Sequence, residues 1–418
     1  MQTYIRLLRN NPDYALLWYA QAISLIGDWF NTIVLSALVS RYSNGSGLAI
    51  SGLLLARFLP PLLVSPLAGV LLDRFDRKRL LIFSDVARFF IVLGFLLATS
   101  PDRLWLIYVL SVLQFGLSAL FEPGRSALMP SVVRREDLVH ANVLGSITWS
   151  AMLAIGGALG GLVAAVLGTT TALLFDAATF LISALLIKKI RINREVVKHT
   201  EHEGISFRDF VDGLRFARAH PPTAATLLVK LGGNFGNYDT IMIVYATSLF
   251  VLGEQGAGSL GILWSAFGIG AIIGPILINR LNDGSIRVMR RLIIVAYVFV
   301  SIGWFLLGGS PILLVAALAT VVKAMGSSIY WTYSSVILQK SVPDQFLGRI
   351  FSLDLAGFQL ATAVSTLITG IAVETLGVGA VRDIVFVTGI VSLIPLAFWS
   401  VVVRWLEQRE NRELVREG

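Results

Sequence analysis

The amino-acid sequence predicts an all-α membrane protein with twelve transmembrane helices in two pseudo-symmetric six-helix bundles. Three observations support this fold class: a strongly apolar composition, recurring apolar runs long enough to cross a bilayer, and a likeness between the two halves of the chain. Of the 418 residues, 56% are hydrophobic and only 14% are charged, and the mean hydropathy is +0.76. A soluble protein keeps about a quarter of its residues charged, so lipid is predicted to be part of the solvent of this chain.

Each predicted span is an apolar run of about 20 residues, the length that crosses a hydrocarbon core of about 30 Å. The twelve runs are 14–39, 48–71, 80–99, 104–123, 142–167, 170–188, 224–251, 259–280, 289–308, 311–335, 350–375 and 381–403. The first run is too long for a cleavable signal peptide and contains the polar residues Asp28 and Asn31. It is therefore interpreted as a span, not as a targeting segment.

The net charge of +8 is distributed as a topology signal. If the N-terminus is cytoplasmic, most of the 34 Lys and Arg residues fall in the inside segments. Only Arg41, Arg103 and Arg382 fall in the outside loops. This asymmetry follows the positive-inside rule. It predicts that both termini are cytoplasmic, with the lipid bilayer as a partner, and it excludes nucleic acid.

Several chemical classes are absent from the sequence. There is no cysteine, which excludes disulfides, thiolate metal sites and cysteine nucleophiles. No G-x-x-x-x-G-K-[ST] loop is present to bind the phosphates of ATP, and the four histidines are not clustered as metal ligands. The chain is predicted not to be an enzyme, to have no metal or cofactor, and to use a proton gradient as its energy source.

The longest hydrophilic stretch divides the chain nearly in half. The predicted domains are an N-terminal six-helix bundle (1–188), a cytoplasmic linker with an amphipathic helix (189–222), a C-terminal six-helix bundle (223–403) and a cytoplasmic tail (404–418). In the linker, apolar residues share one helical face, namely Phe207, Phe210, Val211 and Leu214. This face predicts a helix either on the inner leaflet or packed on the bundles.

The two halves repeat with an offset of about 206 residues. Gly27-Asp28 aligns with Gly233-Asn234, and Asn31 aligns with Asn237. Parallel repeats with an even number of spans are related by an axis along the membrane normal. Such a repeat predicts a binding site between the halves at mid-membrane.

Two stretches carry a resemblance to a known family. "GVLLDRFDRKR" (69–79) is similar to the signature between spans two and three of the major facilitator superfamily, G-x-x-x-D-R-x-G-R-[KR], with Asp76 in place of the second glycine. "EPGRSALMPSVVRREDLVHANVL" (122–144) resembles the branch that holds macrolide-type drug efflux pumps, siderophore exporters of the enterobactin type and a lysophospholipid flippase. The resemblance covers essentially the whole chain and implies the major facilitator fold and transport by alternating access.

Polar side chains at helical spacing form stripes on four spans. They are Gln21, Ser24, Asp28 and Asn31 in span one, Gln114, Ser118 and Glu122 in span four, Lys230, Asn234 and Asn237 in span seven, and Lys323, Ser327 and Trp331 in span ten. The resemblance implies that these four spans line a central substrate cavity. The alternative is that the stripes are interhelical hydrogen bonds, worth about 0.6 kcal/mol each.

Three carboxylates are candidates for carrying a proton, in the order Asp28, Glu122 and Asp239. An ionisable group at mid-bilayer costs about 2.5–3.5 kcal/mol, so it is expected to face a cavity or a partner. A carboxyl group exposed alternately to the two sides can bind a proton outside and release it inside. Asp239 lies on a different helical face, and pairing within the C-terminal bundle is its alternative.

The loop of the family signature is predicted to act as a cytoplasmic gate. The resemblance implies that Asp73, Arg74 and Arg77 lock the cytoplasmic ends of the bundles, against the start of span eleven where Asp354 lies. One turn apart in span three, Asp85 and Arg88 are expected to form an internal ion pair.

Three further features of the spans are noted for comparison with the structure. "GGALGG" (156–161) offers two small-xxx-small pairs for close helix contact; it also resembles the core of a signature associated with antiporters. Asp176 is expected to cap a helix or to pair near the outer face. Arg57 in span two has no evident partner in the sequence.

The predicted function is proton-coupled efflux, by antiport, of lipophilic or amphiphilic small molecules such as drugs or siderophores. The alternatives are a lysophospholipid or lipid translocator on the same fold and a non-transporting membrane receptor or scaffold. The protein is predicted to be a monomer in a bacterial inner membrane.

Overall fold

The computed structural model describes residues 2–134, 137–191, 207–236 and 238–417. Over these ranges the regular secondary structure is helical, with no strand. The helices are α1 (Gln2–Asn10), α2 (Pro12–Tyr42), α3 (Gly47–Arg74), α4 (Arg77–Phe95), α5 (Leu104–Leu128), α6 (Leu138–Leu167), α7 (Thr169–Lys189), α8 (Phe207–Ala219), α9 (Pro221–Gly233), α10 (Tyr238–Val244), α11 (Ala257–Ile278), α12 (Ile286–Gly308), α13 (Leu313–Ser341), α14 (Asp344–Leu376), α15 (Val381–Val391) and α16 (Leu393–Glu417).

Ten helical segments of the described chain are long and apolar enough to cross a membrane. The other two predicted spans are also helical but do not meet that measure. One is α4, only 19 residues long, whose apolar stretch contains Asp85 and Arg88. The other is the run 224–251, which the structure divides into α9 and α10. The all-helical membrane fold is therefore confirmed, and the count of twelve continuous spans is not exact.

The interruption of the seventh span depends on a glycine. At Gly236 the backbone has φ +86°, and a Cβ atom there would lie 2.0 Å from Cγ2 of Thr388. Only glycine adopts this left-handed conformation without strain. The chain therefore turns between α9 and α10 instead of continuing the helix.

Asp76, the residue that departs from the family signature, starts a helix. Its side chain accepts a hydrogen bond from the backbone N–H of Arg79 at 2.9 Å and forms the N-cap of α4. Aspartate is one of the strongly preferred N-cap residues. The substitution for glycine therefore has a local structural reason.

The glycines of "GGALGG" in α6 are packing positions. A Cβ on Gly156 would lie 2.7 Å from Trp29, and one on Gly160 would lie 2.8 Å from Phe30, both on α2. On the other side of α6, a Cβ on Gly161 would lie 2.6 Å from Cα of Gly261 in α11. The prediction of close helix contact through small residues is confirmed.

The chain divides into two compact units. Unit 1 comprises Met1–Gly204 with Met242–Ser265, and unit 2 comprises Ile205–Ile241 with Ala266–Gly418. Each unit has its own apolar clusters: one in unit 1 is formed by Leu17, Ala20, Leu81, Phe121, Leu128, Ile187 and Ile190, and one in unit 2 by Ala217, Leu338, Val342 and Ile350.

Large apolar side chains also cover the outside of the helices. On α6, Leu162 is 60% exposed and Val166 is 70% exposed, and on α11 Ile276 is 62% exposed. A water-soluble surface does not carry such continuous apolar faces. Contact with lipid accounts for these exposed apolar faces. A helical backbone suits the same environment, because its polar groups are satisfied within the helix.

Part of the predicted linker, residues 192–206, lies outside the described residues, as do the side chains of Phe207 and Phe210. The following helix, α8, packs on unit 2. Ala217 is buried in the cluster with Leu338, and the ring of Phe216 stacks on that of Phe346 at 4.5 Å. The contacts of α8 favour packing on the bundle over the inner-leaflet alternative.

Candidate functional site

The polar stripe predicted on the first span lies on one long helix of unit 1, α2. Gln21, Ser24 and Asn31 are buried, and Asp28 is partly exposed. Residues three or four apart are neighbours on a helix surface. Because α2 continues for 31 residues, the four side chains share one side of it.

Arg57 on α3 is fixed beside Asp28. Its guanidinium donates to Oγ1 of Thr32, and Thr32 donates to the backbone carbonyl of Asp28 at 2.6 Å. The Cζ atom of Arg57 lies 5.6 Å from the ring centroid of Trp29 and 5.1 Å from that of Phe115. These contacts give a defined position to an arginine for which the sequence suggested no partner.

A second arginine, Arg88 on α4, forms the predicted ion pair with Asp85. The distance from Nη2 to Oδ1 is 2.5 Å, and both side chains are almost fully buried. Ser183 on α7 donates to the other carboxylate oxygen at 2.6 Å. The guanidinium also lies 4.2 Å from the ring centroid of Phe180. The two buried charges of α4 therefore compensate each other, while Nε of Arg88 has no hydrogen-bond partner among the described residues.

Asp28 therefore lies in a field of mixed charge. The charges that act on its carboxylate belong to Arg57 on α3, Asp85 and Arg88 on α4, and Glu122 on α5. None of the salt bridges within the described part of the chain includes Asp28. Nor do three or more His, Cys, Asp or Glu side chains of that part converge to hold a metal ion. A partly exposed carboxylate near cations, but tied to none, can bind and release a proton.

Glu122, the second carboxylate candidate, is more exposed than Asp28. It accepts a hydrogen bond from Nε2 of Gln21 at 3.3 Å and pairs with Arg125 at 3.0 Å, and its side chain is 55% exposed. On the same helix, Ser118 donates to the carbonyl of Phe115. This set joins α2 to α5.

Three other buried polar groups of unit 1 have no regular hydrogen bond. Gln114 on α5 is fully buried, and neither polar atom of its amide has a partner. The same holds for both carboxyl oxygens of Asp176 on α7 and for the amide of Asn31 on α2. Asp176 lies seven residues beyond the start of α7 at Thr169. The expectation that it caps a helix is therefore wrong.

In unit 2, Lys230 on α9 is buried and forms an ion pair with Asp354 on α14. It also donates to Oγ of Ser335 at 2.9 Å, and its Nζ lies 4.3 Å from the ring centroid of Trp331. The structure thus brings together a predicted cavity residue, Lys230, and a predicted gate residue, Asp354. Trp331 is 40% exposed on its other faces.

Asn234, the residue that follows α9, also forms a hydrogen bond to α14. Its amide donates to Oγ1 of Thr362 on α14. Asn237, its predicted neighbour on the stripe, lies outside the described residues. Ser327 on α13 donates to the backbone carbonyl of Lys323 at 3.1 Å.

Lys323 on α13 lies in an aromatic cage. Its Nζ atom is 4.2 Å from the ring centroid of Tyr238, 5.3 Å from that of Phe267 and 5.4 Å from that of Trp304. The partly exposed carboxylate of Asp239 also acts on it. Faces of aromatic rings stabilise cations, so this lysine is held by π-systems.

Around the predicted gate, the side chain of Asp73 lies outside the described residues. Arg74 is exposed, and Arg77 donates to the backbone carbonyl of Ala127 at the end of α5, at 2.9 Å. Lys78 donates to the carbonyl of Ile190 at 2.8 Å. These two cations thus donate hydrogen bonds to backbone carbonyl groups at the ends of α5 and α7, within unit 1.

Sequence reasoning missed two features of the site. One is the position of Gly27, where a Cβ would lie 2.6 Å from Oδ1 of Asp176 and 2.0 Å from Oγ1 of Thr179. The other is the pairing of Lys230 with Asp354. A signal existed for the first, because glycine precedes the stripe residue in both halves of the repeat. No pattern in the sequence indicates the second.

The comparisons with known proteins agree with this architecture. The sequence profile of the family described as transmembrane secretion effector matches residues 8–411. Among curated relatives, "Putative bacilysin exporter BacE" of Bacillus subtilis is 27% identical over 88% of this chain and 90% of its own. Macrolide efflux protein A of Streptococcus pyogenes is 23% identical over 87% and 89% of the two chains. Enterobactin exporter EntS of Shigella boydii is 25% identical over 88% and 86%.

Solved structures show the same fold at low sequence identity. A bacterial homologue of the lysosomal transporter Spinster superposes with a TM-score of 0.71 at 13% identity, over 94% of this chain and 97% of the other. A bacterial homologue of ferroportin gives a TM-score of 0.70 at 15% identity, over 94% and 98%. The matched profile covers nearly the whole sequence. The chain therefore belongs to the transmembrane secretion effector family of the major facilitator superfamily, and it is an integral membrane transporter and not an enzyme.

Proposed function

We propose that this protein is a proton-coupled exporter of lipophilic or amphiphilic small molecules, working by alternating access in the cytoplasmic membrane of a bacterium. One observation carries the proposal: Asp28 is a partly exposed membrane-embedded carboxylate near Arg57 and the buried Arg88, and it forms no salt bridge with the described residues. A group of this kind can change its protonation without breaking an ion pair. The named relatives that transport bacilysin, macrolides and enterobactin support the direction and the class of cargo.

The energy source in this proposal is the inward movement of a proton. One elementary charge that crosses the membrane contributes about 2.3 kcal/mol per 100 mV. Asp28 takes up the proton when the site faces outward and releases it to the cytoplasm when the site faces inward. Substrate binding favours release. The distribution of Lys and Arg along the chain supports cytoplasmic termini.

An amphiphilic substrate fits the side chains around the candidate site. Trp331 presents a partly exposed ring beside the ion pair of Lys230 and packs edge-on against Phe358. Ligand sites are mostly apolar and aromatic, with few polar groups that fix orientation. The protein acts as a monomer in this proposal, with the lipid bilayer as its other partner.

The test is transport in everted membrane vesicles with an imposed pH gradient. The panel comprises a macrolide, a cationic dye, a catecholate siderophore and a lysophospholipid. Wild-type protein is expected to move at least one of the first three substrates and to dissipate the gradient in doing so. The variant Asp28→Asn is expected to insert normally and to lose gradient-driven transport, because asparagine keeps hydrogen bonding but cannot release a proton.

Asp102→Asn is the matched control, since Asp102 is an exposed carboxylate outside the spans and its replacement should leave transport unchanged. Full transport by the Asp28→Asn variant would remove Asp28 from the mechanism. Flipping of the lysophospholipid without any gradient would favour the lipid translocator instead. Failure to move any member of the panel would favour a receptor or scaffold.

A further inference from the structure

The most unusual buried group that the proposed mechanism leaves unused is Asp176 on α7. Its side chain has 0% exposure, and neither carboxyl oxygen has a hydrogen-bond partner. It lies directly against Gly27 on α2, where a Cβ atom would be 2.6 Å from Oδ1. Any other residue at position 27 would push the carboxyl group away. The fold therefore places the buried Asp176 carboxyl group against the α2 backbone at Gly27, the residue before Asp28.

The polar neighbour of Asp176 on α2 is equally unsatisfied. Asn31 is fully buried, and its amide lies close enough to the Asp176 carboxyl group to interact with it, although neither amide atom forms a hydrogen bond of regular geometry within the described residues. Buried polar groups are normally hydrogen-bonded, and each exception calls for an explanation. The carboxyl group and the amide face each other across the contact of α2 with α7, and a proton on Asp176 would complete a regular hydrogen bond between them.

The charged groups around this contact can be named from every packed helix. α7 packs against α2, α4 and α6. α2 presents Asp28, whose charge acts on Asp176, and α4 presents Arg88 together with Asp85. α6 has no Asp, Glu, Lys or Arg between Leu138 and Leu167, and its His140 is exposed near the helix start. Around Asp28 itself lie also Arg57 on α3 and Glu122 on α5.

None of these cations is committed to Asp176. Arg88 is engaged with Asp85, and Arg57 donates to Thr32. An ionised carboxylate at position 176 would lose its water with only the nearby amide of Asn31 to compensate, which is unfavourable. A neutral carboxylic acid can instead donate its O–H to Oδ1 of Asn31 or to the carboxylate of Asp28.

We propose that Asp176 is a second proton-binding group and that it shares a proton with Asp28 across the contact of α2 with α7. Asp28 is partly exposed and Asp176 is fully buried, so a proton reaches Asp176 through Asp28. In the transfer the O–H bond of Asp28 breaks as an O–H bond forms on Asp176, and the negative charge moves to Asp28. Asp176 then holds the proton until Asp28 is exposed to the cytoplasm, where the reverse transfer returns the proton to Asp28 for release. This inference rests on the proposed proton coupling and adds a residue to it.

The test is infrared difference spectroscopy of the full-length protein in lipid nanodiscs during a pH titration. All protonated carboxylic acids of the chain give a carbonyl stretch that shifts in deuterated water, so the bands of the two groups are taken as those missing from the Asp28→Asn or Asp176→Asn spectrum, and no substrate is needed. Wild-type protein is expected to lose intensity in two steps that differ by more than about one pH unit, as coupled sites do. Asp28→Asn and Asp176→Asn are each expected to leave one step, at a pH different from both wild-type steps. Asp102→Asn is the control and should leave the two steps assigned to Asp28 and Asp176 unchanged.

Two results would overturn the inference. One is an Asp176→Asn spectrum identical to wild type at every pH. The other is loss of a band in that variant while the Asp28 step stays where it was, which would mean that the two groups do not share a proton. If Asp176→Asn does not fold, the Asp28→Asn variant decides alone, because a single unshifted step there would equally contradict sharing.

Transport in vesicles separates this inference from the proposed function. Asp176→Asn is expected to transport over a narrower pH range than wild type, whereas a merely structural role would change the amount of folded protein and not the profile. Two-step titration in a protein that moves no substrate under a pH gradient would refute proton-coupled export and leave proton sharing standing. Gradient-driven export with a one-step titration would refute proton sharing and leave proton-coupled export standing.

Discussion

The two units differ most at the positions that the internal repeat makes equivalent. In unit 1, Gly27 lets the Asp176 carboxyl group approach α2, and the helix continues through Asp28. In unit 2, Gly233 receives instead the ring of Tyr330, with a Cβ position 2.4 Å from Cζ, and α9 ends there. The same small residue thus admits a carboxyl group in one unit and an aromatic ring in the other.

The two units also differ in which charged side chains lie at their candidate sites. Unit 1 concentrates carboxylates near α2, with arginines that are held by neighbouring side chains. Unit 2 buries two lysines, one paired with a carboxylate and one held by aromatic rings. The comparison suggests a division of work, in which unit 1 handles protons and unit 2 provides structural pairing and substrate contacts. Four predictions test that division.

The largest expected effect concerns the Lys230–Asp354 pair that joins α9 to α14. Asp354→Asn and Lys230→Met should each lower the free energy of unfolding by about 3–5 kcal/mol, because removing one partner leaves an uncompensated buried charge. The measurement is an unfolding titration in mixed micelles. The double variant Lys230→Met/Asp354→Leu should recover most of the loss, since an apolar pair of similar volume replaces the ions.

A double variant as unstable as the single ones would mean that the pair is not a self-contained structural link. Retention of gradient-driven transport by the double variant would support the assignment of proton handling to unit 1. Loss of proton coupling with stability restored would contradict it.

The two equivalent glycines give the second prediction. Gly233→Ala should lower the free energy of unfolding by about 1–3 kcal/mol, as overpacking does, because the Tyr330 ring is enclosed and cannot move aside. Gly27→Ala should cost less stability, since the two nearest atoms are a hydroxyl and a carboxyl oxygen at side-chain ends, but it should impair proton-coupled transport more.

Gly116→Ala is the control for both, because the nearest atom to its Cβ position is 3.9 Å away. It should be neutral or slightly stabilising. The comparison fails if Gly27→Ala transports normally with an unchanged pH profile.

A third prediction exchanges the side-chain chemistry of the two repeats. Thr362 donates its own proton to the carbonyl of Phe358 at 2.9 Å, so its oxygen accepts the hydrogen bond from Asn234. Asn234→Asp cannot donate and should lower stability by about 1–3 kcal/mol, the cost of an unsatisfied buried group. Added to Asp28→Asn, it should not restore export, because the carboxyl group would stand without the arginines of unit 1.

Asn10→Asp, at an exposed position, is the matched control and should leave the unfolding titration unchanged. Export restored by the double variant Asp28→Asn/Asn234→Asp would show that either unit can carry the proton, and the division between the units would be lost.

Much of the fold was predictable because lipid imposes it. Backbone groups in hydrocarbon must be satisfied within a helix, so runs of about 20 apolar residues indicate spans directly. The spacing of polar residues in the Gly-Asn-rich stretch at 232–237 predicts a polar stripe on a continuous helix. The break there depends on the φ angle of Gly236, which hydropathy does not report.

The site was predictable only as far as single helices reach. Spacing along α2 put Gln21, Ser24 and Asp28 on one face, and the ion pair of Asp85 with Arg88 is one turn long. The link from Lys230 to Asp354 spans 124 residues and depends on how α9 and α14 are rotated about their axes. The contact of Asp176 with Gly27 depends likewise on the approach of α7 to α2, which side-chain spacing within either helix does not determine.

The smallest effect on stability is expected at Lys323, the second buried lysine of unit 2. Lys323→Met keeps the side-chain length, loses the attraction of three aromatic faces and removes the cost of burying a charge. These terms oppose each other, so the free energy of unfolding should change by less than about 1.5 kcal/mol, in contrast to Lys230→Met. Its effect should appear in transport, as a selective loss for an anionic siderophore over a neutral macrolide, measured as initial rates in the same vesicles. Equal losses for both substrates would mean that Lys323 does not contact charge on the substrate, and the aromatic cage would then be structural, as the Lys230 pair is.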